Sequence, residues 1–302
     1  MTTRTSPLWL SPPELLPAHL TALSDAAARP APTHHGPARP LPNAREADYD
    51  AYFGIARTPY APAHTLVQAL GSAVAEVRAW ASPLAEPALR AALAACGLPE
   101  STPPGRGGDA PLTRWKAGHR LFLALTQATV VALRDGTAHG TRRHPAPAGT
   151  HTAAVLLRAC AAAMRLTASF TPHAYAAVVR PSMEPPAHTM DGFSGLWSAD
   201  HRTLVQQLRT WGSVHAGARC GGCTPHRELS AALDEVHTAH HGVCVRFVGR
   251  RPSLVGGHDD APATLTRLAG ARRRLLHPYA DAATGPEATA RQARRSAVPD
   301  GS

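Results

Sequence analysis

Seven stretches of this 302-residue chain place apolar residues three and four positions apart, the repeat of an amphipathic helix. No other feature limits the fold as much. The stretches are residues 64–81, 84–96, 112–134 (LTRWKAGHRLFLALTQATVVALR), 151–169, 199–211, 226–241 and 261–277, separated by Pro- and Gly-bearing breaks. Pro87 must lie near a first turn, and Asp135–Gly136 predicts the end of the longest helix. Apolar residues make up 44% of the chain, and alanine supplies much of that share. Alanine-rich segments with few β-branched residues favour helix over sheet. VCVRFV at 243–248 predicts a single strand, which builds no sheet domain. The expectation is an all-α helical bundle over residues 46–280. A Pro-rich arm, extended or disordered, precedes it at 1–45 (Pro12, Pro13, Pro30, Pro32, Pro37, Pro40, Pro42), and a small-residue tail at 281–302 is expected to be flexible.

The formal charge of +10 would suit a nucleic-acid partner, but the pattern does not. The basic residues are mostly Arg in twos and threes (Arg142–Arg143, Arg250–Arg251, Arg272–Arg274, Arg294–Arg295), and no basic run is interleaved with aromatics. Five cysteines, an odd number in a chain this long, do not form a disulfide framework. The N-terminus has no charged segment followed by an apolar run, and no stretch nears eighteen consecutive apolar residues. The expectation is a cytoplasmic protein without nucleic-acid or membrane partners. Phosphate loops, dinucleotide fingerprints, serine elbows and H-E-x-x-H are all absent.

Among eighteen histidines, those on helices beside apolar residues carry the most weight, because a packed helix holds an imidazole at fixed geometry. His201 follows Asp200 at a helix start and shares a face with Leu204, Val205 and Leu208. An imidazole on an apolar wall suits a haem ligand, although a hydrogen-bonded core histidine fits the same pattern. His237, His240, His241 and Cys244 follow Leu229, Leu233 and Val236 at spacings of three and four, unless Gly242 ends the helix. His119 lies on the apolar face of its helix, where either a pocket or a core role fits. Cys220-Gly-Gly-Cys223 with His237 and His241 has a zinc-site spacing, so a zinc-stabilised helical binding protein is the rival reading. C-x-x-C-H is absent, since Thr224 follows Cys223.

Met183-Glu184-Pro185-Pro186, Gly192-Phe193-Ser194-Gly195-Leu196 and Asp200-His201 with Leu204-Val205 form a dense block. It resembles the histidine-ligated haem-dependent aromatic oxygenases of the tryptophan 2,3-dioxygenase superfamily. Within that superfamily, the haem-dependent tyrosine and 3-methyl-tyrosine hydroxylases of natural-product pathways are the most similar branch. The resemblance implies a single helical bundle of that type, with His201 as axial ligand. It also implies an H-x(n)-H-x-x-x-C pattern. Here thirty-eight residues separate His201 from His240, and three more precede Cys244. Haem iron held by His201 and His240, with one thioether at Cys244, is the implied cofactor arrangement. The implied reaction is hydroxylation of L-tyrosine or 3-methyl-L-tyrosine beside the phenol hydroxyl, giving a catechol, with hydrogen peroxide as oxidant. His240, the ligand displaced, would then act as general base. Arg180 is the expected partner of the substrate carboxylate. Another oxidation of an aromatic amino acid, such as indole dioxygenation, is the alternative within the class. The resemblance leaves monomer and homo-oligomer open, and gives Cys220 and Cys223 no role.

Overall fold

The computed structural model describes residues 6–30, 32, 34–81, 83–99, 108–139, 147–188, 192–215, 223–249 and 261–276. The expected tail at 281–302 and Cys220 lie outside these. Two antiparallel core helices, α5 (Pro111–Ala138) and α6 (Pro147–Thr167), make the most extensive contact in the molecule. α9 (Thr224–Phe247) packs on α6, α8 (Ala199–His215) packs on α5, and α10 (Ala261–Leu276) lies against both α8 and α9. α3 (Pro62–Arg78) and α4 (Glu86–Ala95) cover the remaining faces of α5 and α6. A short α7 (Pro172–Ala174) runs on through a π turn (Tyr175–Val179) and a 3-10 turn (Arg180–Met183). Prolines at the first turns of α3, α4, α5 and α9 fall where a missing N–H costs nothing.

The expected all-α architecture is present, with one small addition. β1 (Leu8–Leu10) pairs in parallel with β2 (Ile55–Arg57), Leu8 opposite Ile55 and Leu10 opposite Arg57. The Pro-rich stretch is therefore not a free arm. Leu8, Leu10, Leu16 and Leu23 are buried in the main core, and α1 (Thr21–Ala27) packs on α3. The prolines left room for this, because β1 and α1 occupy the intervals between them. The boundary expected at residue 45 falls inside α2 (Ala44–Phe53), which Asn43 caps through hydrogen bonds from the Arg45 and Glu46 amides.

Two further expectations give way to packing. α5 does not stop at Asp135–Gly136, because its backbone there touches α6: a Cβ on Gly149 would lie 2.5 Å from the Gly136 nitrogen. That close approach offsets the roughly 1 kcal/mol by which glycine disfavours helix. VCVRFV is not a strand but the end of α9. Ala239, Val243 and Phe247 fall on one buried face, and Phe247 stacks on Tyr175 (4.7 Å between centroids) and Phe170 (5.1 Å). With that face to bury and no neighbouring strand among the described residues, tertiary packing overrides the β-branched propensity. Gly242, which could have ended the helix, faces open space. Among the described residues, no single helix is long and apolar enough to cross a membrane.

Candidate active site

A cavity of about 270 Å³ opens between the α5–α6 pair on one side and α8, α9 and α10 on the other. Its wall is mostly apolar, with Trp115, Phe122, Leu157 and Met164 among the lining side chains. His201, His240, Cys244 and Arg180, the four residues singled out from the sequence, all border it, as do His119 and His237.

His201 stands in the first turn of α8. Ser198 accepts a hydrogen bond from its backbone N–H (3.2 Å), and its Nδ1 lies 3.3 Å from the carbonyl oxygen of Gly195. Its Nε2 lies 3.4 Å from Nη2 of Arg272. A carbonyl can only accept and a guanidinium only donate. The proton therefore sits on Nδ1 and the lone pair on Nε2, which is the form a metal-binding imidazole must have. The Gly195 carbonyl is presented by a 3-10 turn (Gly195–Trp197), capped where Ser194 Oγ accepts from the Leu196 amide (3.1 Å). Phe193 anchors this loop by packing on Tyr52 (4.6 Å) and Tyr49 (5.4 Å).

The start of α8 is held from below by a buried charge network. Arg57 donates to Asp50 (2.8 and 2.8 Å) and to Asp200 (2.7 and 3.0 Å), and Gln127 of α5 donates to Asp200 (2.8 Å). Asp200 and Arg57 are almost fully buried. Burial opposes the charge on Arg57, but the two carboxylates outweigh it and raise its pKa. Burial also raises the pKa of Asp50, against the pull of Arg57. Sequence reasoning found Asp200 as a helix start but missed Arg57, whose only trace was a charged residue within a short strand.

His237, His240 and Cys244 lie on the α9 face toward the cavity, whereas His241 is exposed. Burial, followed by the neighbouring imidazole of His201, lowers the pKa of His240 to about 4. Burial and then Arg272 lower those of His201 and His237, also to about 4. His119 donates from Nδ1 to the Trp115 carbonyl (2.8 Å) and stacks on Phe53 (4.5 Å), and burial lowers it to about 4. The cavity thus holds four imidazoles that stay neutral through the physiological range. Burial raises the Cys244 thiol to about 11, so it stays protonated.

Arg180 borders the cavity, but its Nε donates to Glu184 one turn on (2.9 Å). Arg272 was missed. Its signal was a cation on an apolar helical face, seven and four residues beyond Leu265 and Leu268, hidden inside the run Arg272–Arg274. The zinc reading fails on helix geometry. Cys223 caps the start of α9 and His237 lies fourteen residues along the same helix. At 1.5 Å per residue that is roughly 21 Å, too far for one ion.

The chain matches the model of the family described as SfmD 3-methyl-L-tyrosine peroxygenase over residues 5–239. That match includes His201 and ends just before His240. A 3-methyl-L-tyrosine peroxygenase from Streptomyces lavendulae is 32% identical over 273 residues, covering 81% of this chain and 74% of that protein. A crystal structure of reduced SfmD has the same fold, with a TM-score of 0.61 at 24% identity, covering 80% of this chain and 98% of that one. On its sequence and its fold, this chain belongs to the SfmD 3-methyl-L-tyrosine peroxygenase family.

Proposed function

We propose that this protein is a haem-dependent peroxygenase that hydroxylates the ring of 3-methyl-L-tyrosine or L-tyrosine to a catechol. One oxygen atom of hydrogen peroxide enters the ring and the other leaves as water. The observation that carries the reading is His201: a neutral imidazole with its Nε2 lone pair free of a proton, on the wall of an apolar cavity that it shares with His240 and Cys244. Membership of a peroxygenase family supports it.

The residues present fit haem. The iron asks for neutral nitrogen donors, and His201 and His240 are neutral and border the same space. Among the described residues His237 Nδ1 is buried without a hydrogen-bond partner, so the wall has polar capacity left for a bound group. His201 and His240 would hold the iron. The Cys244 thiol would add across a vinyl group, its sulfur bonding to carbon and its hydrogen passing to the neighbouring carbon, with no external oxidant required. Haem, when bound, supplies the chemistry that splits peroxide and oxidises the ring.

The chain does the rest. Trp115, Phe122 and the aliphatic wall receive an aromatic ring and exclude water. Once displaced as a ligand, His240, neutral down to about pH 4, would take the phenol or peroxide proton. Haem-supplemented protein should show a low-spin Soret band, and a pyridine haemochrome shifted to the blue of ordinary b-type haem. With 18O-labelled peroxide, 3-methyl-L-tyrosine should gain one labelled oxygen. Protein that takes up no haem refutes the reading.

A further inference from the structure

We propose that Arg272 is a carboxylate anchor, which binds inside the cavity either a propionate arm of haem or the carboxylate of the amino-acid substrate. This rests on the haem peroxygenase reading and assigns that site a recognition element on α10.

The argument starts from what Arg272 lacks. It lines the cavity beside Leu265 and Leu268, half-buried, and among the described residues it pairs with no carboxylate. Other arginines near the core have their donors engaged: Arg57 pairs with Asp50 and Asp200, Arg120 with Glu76 and Arg180 with Glu184, while Arg134 donates to the Leu16 and Pro13 carbonyls; the exposed neighbour Arg273 pairs with Asp234 (2.6 Å). A guanidinium turned into an apolar cavity without a counter-charge is costly to the free protein, and such a cost is typical of a group kept for a ligand. Its planar fork matches the two oxygens of a carboxylate.

Its present contact is a weak one, to Nε2 of His201 at 3.4 Å. That lone pair cannot serve an N–H donor and a metal together. Whatever binds at His201 therefore releases the fork of Arg272 into the same cavity. The base of the side chain is firmly seated. The α10 backbone approaches α8 so closely that a Cβ on Gly212 would lie 1.9 Å from the Leu275 carbonyl oxygen, and Leu276 is buried. Arg180, by contrast, is already engaged with Glu184.

The test uses haem-free full-length protein as wild type, R272Q, R272K and R273Q. Tryptophan quenching follows the uptake of haem and of haem dimethyl ester. Calorimetry follows 3-methyl-L-tyrosine and its decarboxylated analogue 3-methyltyramine. R272Q should weaken a carboxylate-bearing ligand about 10- to 100-fold and leave its partner lacking the carboxylate unchanged. R272K should fall between, and R273Q should match wild type. A loss confined to haem assigns the propionate, and one confined to the amino acid assigns the substrate carboxylate. A merely structural role would lower the Tm of haem-free R272Q, whereas an anchor leaves it equal or higher. R272Q that binds both carboxylates like wild type, or that loses ester and amine equally, overturns the proposal. Wild-type protein that binds no haem overturns the peroxygenase reading alone, since the amino-acid titration still decides Arg272. If wild type binds neither carboxylate, both fall.

Discussion

Replacing Arg57 with methionine tests how the first turn of α8, and with it His201, is held. Methionine keeps much of the length and apolar bulk but removes every donor. The guanidinium makes five hydrogen bonds: four to Asp50 and Asp200 at 2.7–3.0 Å and one to the Ser11 carbonyl at 3.1 Å. Removing one partner of a buried ion pair costs about 3–5 kcal/mol, because the other charge is left desolvated. Here two carboxylates are left, with only Gln127 still donating to Asp200. The expected loss at pH 7.5 is therefore at least about 3–5 kcal/mol, a Tm drop of about 6–20 °C. The penalty must also depend on pH. An orphaned buried carboxyl has a native pKa raised above its unfolded value of about 3.9. Such a group adds stability below that value and loses it as pH rises through the native pKa. R57M should thus be closest to wild type near pH 4–5 and furthest from it at pH 7.5. Urea denaturation at several pH values reads both effects. A loss under about 1 kcal/mol, or one equal at pH 5 and 7.5, would mean that the network does not hold α8.

Gly212→Ala should force α10 off α8, costing about 1–3 kcal/mol and weakening haem uptake, while the exposed neighbouring change Ser213→Ala should do neither; thermal melts and haem titration compare them. The haem-free protein should be acid-sensitive. His119, His201, His237 and His240 are lowered to about 4, so the folded chain binds fewer protons than the unfolded one between about pH 4 and 6.5, and stability falls as pH drops through that window. A flat urea midpoint from pH 4.5 to 7 would refute this. Cys244→Ala should release haem to acidified organic solvent while Cys223→Ala retains it, and haem extractable from the unaltered protein would remove the thioether.

The helices were legible because each buries one face at the helical period. α3, α6 and α8 begin and end within a few residues of the expected positions. The departures have a common origin. Gly136 and the β-branched run at 243–248 give local signals that end a helix, but the contacts that override them come from other elements, α6 for the first and Tyr175 for the second. Leu8 and Leu10 read as arm residues because a three-residue strand has no meaning until β2 is beside it. The lining of the candidate site was legible where chemistry-bearing residues interrupt an apolar stripe, as at His201 and His240, which both border the cavity. Arg57 and Arg272 were not, because what marks each of them is the presence or absence of a partner on another element.

The two proposed iron ligands are not equivalent, and the difference lies in the rings rather than the helices. α8 and α9 are both packed along the core. The His201 ring, however, is tied at Nδ1 to the Gly195 carbonyl, in a turn that Ser194 and Phe193 hold in place. His240 has no hydrogen bond to any described residue at either nitrogen, so only packing sets the angle of its ring. An outer hydrogen bond of this kind orients an imidazole and raises its basicity, and its loss typically costs 10- to 100-fold in metal affinity. On the proposed reading His201 would thus be the firm ligand and His240 the yielding one, an asymmetry that would leave one side of the bound group open to peroxide. His201→Ala should therefore weaken haem binding by about tenfold or more beyond His240→Ala, measured as equilibrium uptake by the haem-free protein. Equal losses would make the two imidazoles interchangeable, and would leave the Gly195 carbonyl without the role assigned to it.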